Sequence, residues 1–322
     1  MKRSPLSSIR RCLLWLAAAV AVASIAAALT LLDRAGEGTE TEQVWLGPTP
    51  VTVYRPDAKR LAEQSGDWEV DRLGGLPVVV IAHGFAGSQQ LMQAYALTLA
   101  RNGYIAVSFD FYGHGRNLEA LSGDVTEVDG ATRLLVDQTG QVIDYALALP
   151  GAAPALALLG HSMASDIIVR QAASDPRVRA TVAVSLFSPA VTAESPDNLL
   201  VIVGNLEGFL KTEALRVVGL AAEDPQAGVT YGDFKDGSAR RAVFAPAVEH
   251  VGVLYSPTAL SESAAWLNHS FGRAPDTNSG PVDPRGLAIP LLLAGLVLLA
   301  WPLSRLLPRA VEPPAGLDPR WR

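Results

Sequence analysis

The sequence has little cysteine and little charge, and each shortage narrows the classes of protein that it can encode. Its single cysteine, Cys12, excludes an intramolecular disulfide and any metal site built from several cysteines. There is no dense basic run, and 26 Lys and Arg stand against 32 Asp and Glu, which argues against nucleic acid as the main partner. Charged residues make up 18% of the chain, below the roughly 25% typical of soluble domains, and the mean hydropathy is +0.23. We therefore expect part of the chain to contact lipid.

A first long apolar run lies near the N-terminus. The stretch from Cys12 to Leu32 carries no charge and is close to the roughly 20 residues that a helix needs to cross a bilayer. Basic residues precede it and acidic residues follow it, a bias that places the N-terminus in the cytoplasm and the next segment outside. The alternative is a cleavable signal peptide, because Ala26 and Ala28 form an A-x-A-like site. Signal peptides usually have apolar regions of only about 7–15 residues, which favours an uncleaved anchor.

A second apolar run extends from Leu287 to Leu303 and is at the short end of the range for a membrane span. Its alternative interpretation is a buried helix of the soluble domain. Basic residues follow this second run: Arg305, Arg309, Arg320 and Arg322. Both charge biases place the middle of the chain outside the cell membrane and both termini in the cytoplasm.

The two runs divide the sequence into five segments. These are a basic N-terminus with its transmembrane anchor (1–34), a domain-sized block (43–273), a linker (274–286), a second transmembrane helix (287–307) and a tail (308–322). The linker is rich in Pro, Gly, Asn and Asp, which is typical of loops. The tail is polar and Pro-rich, so we expect it to be disordered.

Between the two runs, short apolar stretches alternate with amphipathic helical patterns. The apolar stretches include LPVVVIAHG, YIAVSFDF, PALALLGHS, RATVAVSLF, NLLVIVGN and RRAVFAPAV, and TPVTVYRP alternates as a β-strand does. Such alternation predicts an α/β fold, with a mainly parallel sheet covered by helices on both faces. In such sheets the functional residues lie beyond the carboxyl ends of the strands.

The sharpest local motif is Gly160-His161-Ser162-Met163-Ala164, which follows the predicted strand PALALL and opens a helix near Ser165. A serine on such a tight turn is exposed at the edge of the sheet, and the residues two positions before and after it must be small. Gly160 and Ala164 meet this demand. The alternative is a chance serine in a turn, which the strand–turn–helix context disfavours.

A Gly-rich loop, His83-Gly84-Phe85-Ala86-Gly87-Ser88, follows the predicted strand VVVIA. Its glycines let the backbone approach a substrate, so the backbone N–H groups of Phe85 and Met163 are the expected oxyanion donors. We expect His83, Gly84 and His161 to support the loop and the serine turn. An ordinary strand-to-helix loop remains the alternative.

A serine nucleophile needs a base, and the base needs a carboxylate to orient it. Of the five histidines, His250 follows the last predicted strand in a loop before a helix, whereas His83, His114 and His161 belong to earlier turns. His269 lies in a surface helix. Glu207 follows the strand LLVIVG and is the expected acid. Its rivals are Asp197, which precedes its strand, and Glu249, whose side chain should diverge from that of the adjacent His250.

With these motifs, residues 49–273 resemble the α/β-hydrolase family. Ser162, Glu207 and His250 follow that family's order of nucleophile, acid and histidine, and FDFYGHGRN resembles its loop before the nucleophile turn. Ala164 replaces the usual glycine and Glu207 the commoner aspartate. Few residues separate Ala190 from Leu199, which leaves no room for a cap domain there. The likeness is to compact, cap-less esterases and to dienelactone hydrolases, which use a cysteine where this chain has Ser162.

The resemblance implies a membrane-anchored serine hydrolase that cleaves carboxylic esters, with a small acyl ester or a lipid as substrate. A peptidase or a thioesterase would use the same residues, and a non-catalytic sensor or scaffold could keep the fold. No metal cluster, phosphate loop or dinucleotide motif occurs in the sequence, so no metal and no cofactor is expected. The oligomeric state is left open.

Overall fold

A computed structural model describes residues 5–64, 74–124, 127–273 and 282–307. It divides into two compact units. One is Ala35–Gly286, and the other comprises the terminal segments Met1–Arg34 and Leu287–Arg322. The predicted disordered tail, 308–322, lies outside the described residues, as does residue range 274–281 of the predicted linker.

A single mixed sheet forms the centre of the larger unit. Its strands in chain order are β1 (Thr39–Leu46), β2 (Thr49–Pro56), β3 (Leu76–Ala82), β4 (Ile105–Phe109), β5 (Ala152–His161), β6 (Val178–Val184), β7 (Leu199–Gly204), β8 (Thr230–Tyr231) and β9 (Arg240–Ala245). Their spatial order is β1-β2-β4-β3-β5-β6-β7-β9-β8. The run from β4 to β9 is parallel, whereas β1, β2 and β8 pair antiparallel with their neighbours. The predicted α/β class is confirmed.

Helices cover both faces of this sheet. In chain order the helices are α1 (Pro5–Arg34), α2 (Ala58–Gln64), α3 (Gln93–Arg101), α4 (Arg133–Leu147), α5 (Met163–Ser174), α6 (Gly208–Val218), α7 (Pro257–Ser270) and α8 (Arg285–Ser304). Side chains of α3 and α7 share one apolar core with the sheet, and those of α4, α5 and α6 pack on the opposite face.

Alternation along the central strands explains how one sheet serves two cores. In β3, Val79 and Ile81 join the core with α3 and α7, whereas Val78 and Val80 join the core with α4 and α5. All four side chains are fully buried. Successive residues of a strand point to opposite faces, so a strand buried on both faces is apolar throughout.

The larger unit is wider than the predicted 43–273. At its start, β1 pairs with β2 over its whole length, although most of its residues are exposed and two of them, Glu40 and Glu42, are charged. At its end, Asp283 is 2% exposed, lies 3.6 Å from Arg101 of α3 and receives a hydrogen bond from Arg285 N–H. Residues 282–286, predicted as linker, are therefore packed as part of the larger unit, because a buried carboxylate needs such partners.

The other unit contains two helices that are long and apolar enough to cross a membrane, Arg11–Arg34 and Arg285–Ser304. Only 11% of the most apolar window of each is buried, unlike a helix of a soluble core. The two helices contact each other where Ser24 Oγ donates to the carbonyl of Leu291, at 2.7 Å. Gly295 permits this approach, since a Cβ there would lie 2.6 Å from Ile25.

Candidate active site

The turn between β5 and α5 holds Ser162 in an unusual backbone conformation. β5 ends at His161 and α5 begins at Met163, two residues earlier than predicted, which leaves Ser162 with φ 55° and ψ −120°. A non-glycine residue with positive φ is strained and is typical of a serine presented at the tip of a strand–helix turn. The small neighbours are required, because a Cβ at Gly160 would lie 2.8 Å from the carbonyl oxygen of Ala164.

Ser162, His250 and Glu207 form one hydrogen-bonded row. Ser162 Oγ lies 2.8 Å from His250 Nε2, and His250 Nδ1 lies 2.5 Å from Glu207 Oε1. A carboxylate only accepts, so Nδ1 carries the proton and Nε2 is left to accept from the serine hydroxyl. The structure thus joins residues that are 88 and 43 positions apart in the chain.

Glu207 is held by one donor from β7 and one from the residue that follows β6. Its second oxygen, Oε2, accepts from Gly204 N–H at 2.6 Å and from the Ser185 hydroxyl at 2.9 Å. Burial would raise the pKa of the Glu207 carboxyl, but the hydrogen bonds from His250, Gly204 and Ser185 outweigh it and hold the pKa below its usual value. Glu207 therefore stays ionised beside His250.

The pKa of His250, the partner of that carboxylate, is shifted in the opposite direction. The hydrogen bond to Glu207 raises the pKa of His250, against a smaller lowering by burial. The His250 side chain is 44% exposed, whereas the Glu207 side chain is 6% exposed. The imidazole is therefore open to a substrate on one side and anchored on the other.

His161 contacts the loop of His250 rather than a substrate. Its Nε2 lies 2.9 Å from the backbone carbonyl of His250, and because a carbonyl only accepts, Nε2 carries the proton. The two imidazole rings are 4.7 Å apart between centroids. Burial lowers the pKa of His161 to about 4, with a further lowering by the nearby His250, so the His161 ring is neutral at pH 7.

His83 and Gly84 shape the loop after β3. His83 Nδ1 donates to the Gly84 carbonyl at 2.8 Å, its Nε2 accepts from Phe111 N–H at 3.1 Å, and burial lowers its pKa to about 4. A Cβ at Gly84 would lie 3.0 Å from Ser162 Cβ, so this loop passes directly beside the serine. Phe85 follows at once. Met163 is the first residue of α5, so its N–H has no acceptor within that helix.

The sequence analysis did not identify two side chains that support the site. Ser185, which donates to Glu207, follows β6 directly and could have been found by the rule that located Glu207. Asp110 is fully buried after β4 and accepts from the N–H groups of Gln89 and Arg116, at 2.7 and 2.9 Å. It thereby ties the loop after β3 to the loop after β4.

The side chains that were alternatives to Glu207 as the acid or to His250 as the base lie elsewhere or are engaged in other hydrogen bonds. Glu249 accepts from the N–H groups of Val251 and Gly252, so it stabilises its own turn. His269 lies in α7 with Nδ1 against the carbonyl of Ala265, and His114 has Nδ1 against the carbonyl of Tyr112. Asp197 precedes β7. Among the hydrogen bonds of the described residues, none joins these side chains to Ser162, His250 or Glu207.

The sheet order, the strained serine after β5 and the acid and histidine after β7 and β9 are those of the α/β-hydrolase fold. Residues 76–226, slightly less than half of the chain, match the family model described as serine aminopeptidase, S33.

Solved structures give the same fold at low identity. A hypothetical protein of Pseudomonas aeruginosa, PA2218, has a TM-score of 0.52 at 13% identity, covering 72% of this chain and 94% of that one. A predicted CIB-like hydrolase of Thermoplasma acidophilum has a TM-score of 0.51 at 11% identity, covering 71% of this chain and 97% of that one. No match was found among curated proteins.

Proposed function

We propose that this protein is a membrane-anchored serine hydrolase that cleaves carboxylic esters. The observation that carries the proposal is the row of two hydrogen bonds that links Ser162 through His250 to Glu207. A serine hydroxyl is a weak nucleophile until an adjacent base takes its proton, and this row supplies both the base and the group that orients it.

In the first half of the reaction, Ser162 Oγ attacks the ester carbonyl carbon while His250 Nε2 takes the hydroxyl proton. The N–H groups of Phe85 and Met163 would stabilise the oxyanion, and losing one such donor typically costs about 10²–10³ in turnover. The tetrahedral intermediate then expels the alcohol, which receives its proton from His250. In the second half, water gives a proton to His250 and attacks the acyl carbon. The bond to Ser162 Oγ then breaks, the acid leaves, and His250 returns its proton to the serine. Glu207 remains ionised throughout and stabilises the imidazolium.

A peptidase is the second candidate, because the matching family model is described as serine aminopeptidase. An aminopeptidase needs a carboxylate for the α-ammonium group of its substrate. Asp166 and Glu249 are the acids nearest in sequence to Ser162 and His250. Asp166 already pairs with Arg170 and accepts from Ser188, and Glu249 accepts two backbone N–H groups. Their engagement favours an ester over a free N-terminus.

The test compares the full chain in detergent with Ser162→Ala on p-nitrophenyl esters, and both with a fluorophosphonate probe. Removing a triad serine costs about 10⁶ in turnover, so the activity and the labelling should vanish together. Ser174→Ala, at the exposed end of the same helix, is the matched control and should leave both unchanged. Amino-acid p-nitroanilides test the peptidase. An unlabelled wild type that is inert on both substrate classes would favour a scaffold.

We propose in addition that α1 and α8 both cross the cell membrane and place the catalytic unit outside, as the flanking charges indicate. The exposed Glu223→Cys, in a chain with Cys12→Ser, would be labelled in intact cells by a membrane-impermeant maleimide. Labelling only after cell lysis would contradict this orientation.

A further inference from the structure

Large apolar side chains are exposed around the candidate active site. The loops that carry the site present five of them, which we call the apolar rim: Phe85 (68% exposed), Phe187 (56%), Leu206 (66%), Phe209 (69%) and Val251 (52%). Single exposed apolar residues are ordinary, but several around one site indicate a binding surface.

Each member of the rim is tied to a residue of the site. Phe85 follows Gly84, Val251 follows His250, and Leu206 and Phe209 flank Glu207 in the sequence. Phe187 is linked through hydrogen bonds. Its N–H donates to Ser165 Oγ at 3.3 Å, and that hydroxyl donates to the Ser162 carbonyl at 2.6 Å. The rim residues therefore lie on the loops that carry the site.

The two phenylalanines bring separate loops together. The rings of Phe187, after β6, and Phe209, at the start of α6, lie 5.8 Å apart between centroids. The segment between Val184 and Leu199 is fully described and contains no helix or strand that could cover them. Water therefore reaches a pair of aromatic side chains beside a site that a substrate must enter.

We propose that the apolar rim binds the acyl chain of the substrate, so that the enzyme acts on long-chain acyl esters of the kind found in membrane lipids. This inference rests on the proposed ester hydrolase. The acyl chain of an ester is bonded to the carbonyl carbon that Ser162 attacks, so it starts at the nucleophile and extends over the neighbouring surface. An apolar surface there favours hydrocarbon over polar or charged groups. The two helices apolar enough to span a bilayer are consistent with a substrate taken from lipid.

The chemistry is the same for every chain length. The acyl carbon forms a bond to Ser162 Oγ as its bond to the alcohol oxygen breaks, and water later replaces the serine to give a carboxylic acid. The rim contributes binding energy that grows with each methylene of the acyl chain. It should therefore change chain-length preference and leave the short-chain reaction intact.

The experiment measures kcat/KM of the full chain in nanodiscs on p-nitrophenyl acetate and p-nitrophenyl decanoate. The double variant Phe187→Ser, Phe209→Ser should lose about tenfold or more on the decanoate and change less than about twofold on the acetate, since only the longer chain reaches the rim. A fluorophosphonate probe with a short alkyl group should label the variant at the wild-type rate, which shows that it is folded with an intact Ser162.

A matched pair of leucines controls for general loss of apolar surface. Leu206→Ser removes a rim residue, whereas Leu220→Ser removes an exposed leucine beyond the far end of α6. Only the first should lower the ratio of decanoate to acetate activity. Equal loss on both esters, or an unchanged ratio in the double variant, would overturn the proposal while leaving the ester hydrolase standing.

The outcomes separate the two levels of inference. A wild type that hydrolyses neither ester and takes up no probe would refute the proposed function itself. A wild type that prefers acetate over decanoate would refute only the role of the rim as an acyl site and would leave the proposed hydrolase standing. Vesicles of phosphatidylcholine then replace the soluble ester. Release of fatty acid that falls in the double variant and persists in Leu220→Ser supports a bilayer as the source, and release unaffected by the rim contradicts it.

Discussion

At the scale of single residues, the pKa values of three histidines in the loops around Ser162 are shifted for different physical reasons. His83 and His161 are buried, which lowers the pKa of each to about 4, whereas the Glu207 carboxylate raises the pKa of the half-exposed His250. The rings of His83 and His161 are therefore neutral at pH 7, whereas the pKa of His250 lies above its usual value.

Glu207→Gln should separate orientation from charge at this histidine. The amide can still contact Nδ1, but it neither fixes the tautomer nor stabilises the imidazolium, so turnover should fall by about 10³–10⁴. The acid limb of the kcat/KM profile reports the pKa of His250. Because that pKa is raised mainly by Glu207, the limb should move to lower pH in the variant. A limb that stays in place would mean that another group controls the acid side.

His161 should act as a positioning residue for His250. His161→Phe keeps a ring but removes the N–H that binds the His250 carbonyl at 2.9 Å. This hydrogen bond is part-buried, and losing such a bond costs about 0.5–1.5 kcal/mol of positioning, so kcat/KM should fall by roughly 2–10-fold. His161→Gln restores an N–H donor and should recover most of this loss. If glutamine is no better than phenylalanine, the hydrogen bond does not position the base.

At the scale of elements, the turn from β5 into α5 depends on the lack of a side chain at position 160. Gly160→Ala would place a Cβ 2.8 Å from the Ala164 carbonyl oxygen, which is backbone and cannot rotate away. We expect a loss of about 1–3 kcal/mol in unfolding free energy. Turnover should fall by about 10², since a displacement of roughly 1 Å at the reacting atoms has that effect.

Gly208→Ala is the matched control, because a Cβ at the start of α6 meets nothing within 4 Å. Thermal melts and ester hydrolysis of both variants make the comparison. Equal melting temperatures and equal activities would mean that the turn tolerates a side chain.

The elements that the sequence predicts well are those buried on both faces. The strands β3, β5 and β7 follow from apolar runs such as LPVVVIA, and the positions of Ser162, Glu207 and His250 follow from the rule that functional residues come after such strands. By contrast, β1 reads TETEQVWL and is mostly exposed, so its pairing with β2 is not visible in its own pattern. β8, with two residues, and the helix α6 were missed as well.

The supporting hydrogen bonds were less predictable than the residues that they support. The bond from Ser185 to Glu207 joins the ends of β6 and β7 and depends on the register of the sheet. The neutral state of His161 depends on burial, which is a property of the folded chain. Asp283 shows the same limit, since a segment rich in Pro, Asp and Gly resembles a linker until its carboxylate is seen to be buried.

At the scale of the whole molecule, stability should depend on pH through the two buried histidines. In the unfolded chain each titrates near 6.5, and in the folded protein the pKa of each is about 4. Between these values the unfolded chain binds more protons, so the unfolding free energy should fall as pH drops from 6.5 towards 4, by up to about 3 kcal/mol per histidine.

Thermal melts of the full chain in detergent at pH 7, 5.5 and 4.5 measure this slope. His161→Gln removes one of the two groups, so its melting temperature should fall less steeply over the same range than that of the wild type. Parallel slopes would show that His161 does not titrate between the folded and unfolded states. His250 has the opposite effect on the unfolding free energy. Because its pKa is raised, the folded protein binds that proton more tightly than the unfolded chain, which stabilises the fold at low pH.

The bond from His161 to position 250 reaches a backbone carbonyl, and every amino acid supplies that group. His250→Ala should therefore keep its loop in place and leave an imidazole-shaped space between Ser162 and Glu207, with the carboxylate still held by Gly204 and Ser185. Dissolved imidazole could enter that space and act as the base, so activity should return in proportion to its concentration. Without imidazole, the same variant would hold an intact ester long enough for its acyl chain to be seen.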